Sequence, residues 1–90
     1  MIKIDTEGFE LFVLKGLQNF FEDNQNRPVI ICEITPRANS LMGIRLDELS
    51  DYMHRYNYKA YSLLDMKTKI DVSVLKEQTD VLFLPVRQIF

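Results

Sequence analysis

Within its first sixteen residues the chain switches its apolar period, and that switch constrains the fold more than any other feature. Ile2, Lys3 and Ile4 form a short β-branched run that reads as a strand. Asp5, Thr6, Glu7 and Gly8 read as the turn after it. From Phe9 the pattern is different: Phe9, Val13, Leu17 and Phe20 fall on one stripe, with Leu14 and Phe21 beside it. That spacing predicts an amphipathic helix of about three to four turns. Glu7 and Glu10 belong to its first turn, where carboxylates favour the positive end of the helix dipole. Gly16 falls inside the helix, at a cost of roughly 1 kcal/mol relative to Ala. Close packing against a neighbouring strand is the expected compensation.

The alternation then repeats. Residues 22–28 are polar and end the helix. Val29, Ile30, Ile31 and Cys32 form a continuous apolar run closed by Glu33. Such runs belong to strands covered on both faces, as in parallel sheets. Residues 35–45 contain Pro36, Asn39, Ser40 and Gly43 and read as a loop. Leu46, Leu49, Tyr52, Met53 and Tyr56 make a second helical stripe, with Asn57 as a left-handed cap. Residues 58–64 read as a third strand, 65–69 as a turn, and 70–78 as a loop with some short structure. Residues 81–84 form a fourth apolar strand, closed by Pro85. The order is strand, helix, strand, helix, strand, strand. This is an α/β pattern with right-handed crossovers and a mostly parallel sheet. No clear helix separates the last two strands, so the final one is expected to be antiparallel.

Size and composition exclude several classes. A chain of 90 residues, 47% hydrophobic and 27% charged, has the balance of one globular domain or part of one. Eleven basic and thirteen acidic residues leave a net charge of −2. Without a basic patch, no nucleic-acid partner is expected. The longest apolar run, 29–32, is far too short to span a membrane, and no membrane partner is expected. Lys3, Asp5 and Glu7 interrupt any signal-peptide pattern. Cys32 is the lone cysteine. It forms no disulfide within the chain and fits a reducing, cytoplasmic setting. One cysteine and one histidine, Cys32 and His54, do not make a structural zinc site.

Open parallel sheets bind ligands outside the carboxyl ends of their strands. Asp5, Thr6 and Glu7 follow the first strand and Glu33 follows the second. Three carboxylates near one rim can orient a substrate, act as a general base, or bind a hard metal through oxygen. Each has a plainer reading. Asp5 or Thr6 can cap the first helix, Glu7 can complement its dipole, and Gly8 can simply permit the turn. Glu33 can be the polar end of a buried strand. His54 reads as a surface residue of the second helix and Cys32 as a small buried hydrophobe. The four tyrosines read as core or rim residues, not as a stacking platform.

Ile2-Lys3-Ile4-Asp5-Thr6-Glu7-Gly8-Phe9-Glu10, followed by Val13-Leu14-Lys15-Gly16, resembles the signature of the FkbM-type methyltransferases. There a strand ending in Lys-Ile-Asp is followed by a Glu-Gly-x-Glu turn and a helix carrying Leu-Lys-Gly. Pro28-Val29-Ile30-Ile31-Cys32-Glu33-Ile34 resembles the family's next strand, and Asn57-Tyr58 stands where Gly-Tyr often precedes its sixth. The resemblance covers residues 2–61 at least. It implies an S-adenosylmethionine-dependent O-methyltransferase with a Rossmann-like sheet. The whole chain, 1–90, would be a single partial domain holding strands four to seven, the antiparallel seventh lying between the fifth and sixth. The acceptors it implies are small-molecule, sugar or lipid hydroxyls. Asp5 would face the methyl-transfer region, with Glu7 in the adjacent turn and Glu33 at the end of the next strand. Asp5 is the first choice as base or substrate orienter.

The resemblance also implies that the chain matches only the C-terminal half of such an enzyme. Gly8, Gly16 and Gly43 are the only glycines, and none forms a G-x-G cluster. The glycine-rich loop that holds the cofactor is therefore missing from this sequence. Two other readings stand beside this one. In one, the chain is a non-catalytic interaction module whose first strand offers an exposed edge for another chain or a homodimer. In the other, Asp5, Glu7 and Glu33 together hold a metal in a carboxylate-dependent enzyme.

Overall fold

In the computed structural model, which describes residues 1–22 and 27–86, four strands form one mixed sheet. They are β1 (Ile2–Ile4), β2 (Ile30–Ile34), β3 (Tyr58–Ser62) and β4 (Thr79–Pro85), in the order β1-β2-β4-β3. β1 runs parallel to β2, with Ile4 opposite Cys32. β4 lies between β2 and β3 and is antiparallel to both, in keeping with the expected direction of the last strand.

The helices differ from the expected pair. Residues 10–22 form two short helices, α1 (Glu10–Gly16) and α2 (Gln18–Glu22), broken at Leu17. Part of the polar segment 22–28 lies outside the described residues. Residues 36–41, expected as loop, form a further helix, α3 (Pro36–Leu41). Pro36 occupies its first turn, where the missing N–H costs nothing. The second expected helix is α4 (Leu46–Arg55), which buries Leu49, Tyr52 and Met53. Asn57 follows it at φ +60 and donates its N–H to the His54 carbonyl. A 3-10 turn, Val72–Val74, supplies the short structure of segment 70–78.

One face of the sheet carries the core. Ile4, Ile30, Cys32, Ile34, Val81, Phe83 and Tyr58 cluster with Leu11, Leu14, Phe21, Leu49 and Met53 from the helices. Burial of each large aliphatic or aromatic side chain contributes about 1.5–3 kcal/mol. Aromatic contacts tie α2 to α4 and β3: the Phe21 ring meets Tyr52, Tyr56 and Tyr58 at centroid distances of 6.2, 5.5 and 5.5 Å. The hydroxyls of that group are used as well. Tyr58 donates to the Pro28 carbonyl at 2.6 Å and Tyr52 to the Leu14 carbonyl at 3.3 Å.

The opposite face is different. Ile31, Leu82 and Tyr61 align across β2, β4 and β3 outside the main core cluster. Ile31 is only half-buried, so β2 alternates buried and half-exposed residues. The apolar run 29–32 is expected to be covered on both faces; the main core packs on one, and on the other Ile31 is half-buried beside the buried Leu82. The two sheet edges also differ. Segment 68–70 shields the outer edge of β3, through Ser62 N–H to the Thr68 carbonyl and Ile70 N–H to the Ala60 carbonyl. β1 is the other edge and, among the described residues, pairs with β2 alone.

Candidate functional site

The rim at the carboxyl ends of β1 and β2 is built from the turn that follows β1. Ile4 and Cys32 face each other as the last paired positions of the two parallel strands. Asp5 and Glu33 each come one residue later. Glu33 is also paired across β4 with Asp80, and the Gln78 amide nitrogen donates to its Oε1. Desolvation, and after it the charges of Asp5 and Asp80, hold the Glu33 carboxyl above the usual carboxyl range, while Lys3 pulls it back down. The structure thus places Asp5 and Glu33 side by side.

Glu7 stands apart in conformation. It adopts φ +50, a left-handed backbone uncommon for a residue with a Cβ, and its side chain is exposed. Strain of that kind costs about 1–3 kcal/mol and persists only where surrounding structure enforces it. Glu7 does not lie in the first turn of the helix, because α1 begins at Glu10 with Phe9 as its N-cap and no side-chain cap. The capping reading of Asp5 and Thr6 is corrected for the same reason. Gly8 follows at φ +108, and a Cβ there would stand 3.0 Å from the Ala38 carbonyl oxygen. The turn is therefore pressed against α3.

Glu10 is the residue that sequence reasoning underrated. It was assigned only a dipole role, yet its side chain is fully buried. Its Oε2 accepts the Thr6 hydroxyl at 2.6 Å and the Gly8 N–H at 2.8 Å. Its Oε1 is buried without a hydrogen-bond partner, as is Oδ1 of Asn39 on α3. The signal was present in the sequence as a carboxylate two residues after a glycine turn. Nothing in that spacing distinguishes a buried carboxylate from an exposed one.

Cys32 is buried, and its thiol is pushed up to about 12, first by burial and then by the charge of Glu10. It therefore stays protonated and is no nucleophile at neutral pH. His54 is exposed and lines a cleft with Ser50, Lys69 and Asp71, on the α4 and β3 side of the molecule. The metal reading is not supported: among the described residues no three His, Cys, Asp or Glu side chains stand together to hold an ion. Nor, among the described residues, is any helix long and apolar enough to cross a membrane.

Residues 1–60 match the family model of the methyltransferase FkbM domain, a span that runs from β1 into β3. The chain belongs to that family. Searches of curated proteins and of solved structures found no significant match.

Proposed function

We propose that this chain supplies the acceptor side of an S-adenosylmethionine-dependent O-methyltransferase, as strands four to seven of a Rossmann-like sheet, with residues 1–90 forming one partial domain. The observation that carries the reading is the nearness of Asp5 and Glu33, each one residue beyond the last paired position of two parallel strands, in a member of the FkbM family. Asp5 takes the proton of the acceptor hydroxyl or orients it. Glu33 shares the rim and holds negative charge beside it, and Glu7 borders the acceptor from the turn. A positioned base contributes about 10²–10⁴-fold. Acceptors of this class are hydroxyls of small molecules, sugars or lipids. A cytoplasmic setting suits the lone buried thiol of Cys32.

Among the described residues, those of the rim do not compose a site for the cofactor. Gly8 is the glycine of the rim, and its space is filled by α3. Three clefts among the described residues are lined by other parts of the chain and include none of Asp5, Glu7 and Glu33. On this reading the cofactor is held by strands outside the chain, and those strands add to the free edge of β1. The chain alone is then inactive.

The test is methyl transfer by the domain with a cofactor-binding half restored on the β1 side. Asp5→Asn is expected to lower turnover at least 10²-fold with cofactor binding unchanged. Unchanged turnover would reduce Asp5 to a turn residue.

A second reading, a non-catalytic module that pairs through β1, is favoured by the same open edge and by exposed Phe9, Phe12 and Phe20. It predicts a concentration-dependent homodimer in light scattering. A monomer at all concentrations would remove it.

A further inference from the structure

We infer that Glu10 is the positioning residue of the rim: its buried carboxyl holds the turn 6–8 in the shape that stands Asp5 beside Glu33. The inference rests on the reading of Asp5 as the acceptor-side group.

A carboxylate that only complemented a helix dipole would work from the surface, where it keeps its hydration. Glu10 instead has no exposed surface. Both hydrogen bonds of Oε2 go to the turn, one to the Thr6 hydroxyl and one to the Gly8 N–H. Between those two donors lies Glu7, whose left-handed backbone needs an external constraint. The Glu10 carboxyl supplies it from below, while the Ala38 carbonyl confines Gly8 from α3.

Glu10 also acts electrostatically on Cys32, the residue before Glu33 and the partner of Ile4 in the sheet. The carboxyl therefore sits beneath the rim, close to the strand position from which Glu33 departs. Its second oxygen has no hydrogen-bond partner among the described residues.

The experiment reads the side-chain titration of Glu33 by carbon-detected NMR in the 90-residue chain, together with the Gly8 amide shift. After burial, the charge of Asp5 is the largest influence that raises Glu33, so the Glu33 midpoint reports on whether Asp5 is in place. Glu10→Ala is expected to move the Glu33 midpoint down towards the ordinary carboxyl value and to shift the Gly8 amide upfield. Glu10→Gln, which keeps an acceptor, is expected to restore both. Leu11→Ala, from the same turn of α1 and also buried, is expected to lower the melting temperature without moving either signal.

Thr6→Val removes one donor without touching the core and is expected to move the Glu33 midpoint in the same direction as Glu10→Ala, by less. An unmoved Glu33 midpoint in folded Glu10→Ala would overturn the inference. If Glu10→Ala does not fold, an unmoved midpoint in Thr6→Val overturns it instead. Turnover is not read, so this result stands or falls separately from the methyltransferase assignment.

Discussion

Gly8 is where backbone geometry and packing meet most tightly. Its φ of +108 excludes other residues on conformational grounds, and the Ala38 carbonyl excludes them on steric grounds. Gly8→Ala is expected to destabilise by more than about 1 kcal/mol, a fall in melting temperature of about 4–8 °C for each kcal/mol in a domain of this size. Circular-dichroism melts measure it directly. Glu33 makes the opposite prediction. Its pKa is raised in the folded state, so it binds a proton more readily there than when unfolded. Its cost to stability is fully present above the raised value. It disappears below the unfolded value of about 4.3, where the group is protonated in both states. Glu33→Gln is therefore expected to raise the melting temperature at about pH 7 and to match the unmodified chain at about pH 3. No gain at neutral pH would mean that Asp5 and Asp80 do not press on it.

At the scale of elements, strands were more legible in the sequence than helices. β1 was read at its observed bounds, and the other strands within a few residues, because turn residues and apolar runs mark strand ends. The helix at 9–21 was misread in its facing. Of the predicted stripe Phe9, Val13, Leu17 and Phe20, only Leu17 packs against the core; the other three are exposed, with Phe12 beside them. The break at Leu17 resets the helical phase, so a stripe drawn across it joins two different helices. The buried face is Glu10, Leu11 and Leu14, joined by Phe21 from α2.

Gly16 carries the same lesson. It ends α1 in open space, with no atom within 4 Å of where a Cβ would stand, and the close packing expected of it is absent. α3 was hidden because Pro36, Asn39 and Ser40 read as loop residues. The Asn39 side chain instead bonds the Thr35 carbonyl from inside the helix. Two substitutions separate the faces of α1. Leu14→Ala is expected to cost about 2–5 kcal/mol in chemical denaturation. Phe12→Ser is expected to stay within about 0.5 kcal/mol. Equal costs would mean that both faces are packed.

The molecule as a whole is a sheet with its main core on one face, one guarded edge and, among the described residues, one open edge. Helices pack on the core face, segment 68–70 guards β3, and β1, beside the acidic rim, pairs among the described residues with β2 alone. The sequence pattern puts the carboxylates near one rim, but which of them stand together is set by the strand register. Asp5 and Glu33 lie 28 positions apart, and only the parallel register of β1 on β2 brings them together. The account assigns the acceptor side to this chain and the cofactor side to strands outside it. The direct test is an NMR titration of the isolated, labelled chain with S-adenosylmethionine, read at the amides of residues 5–8. The account predicts no saturable shift in a well-folded sample. Saturable shifts at those amides would contradict it and would place a working cofactor surface on this half of the sheet.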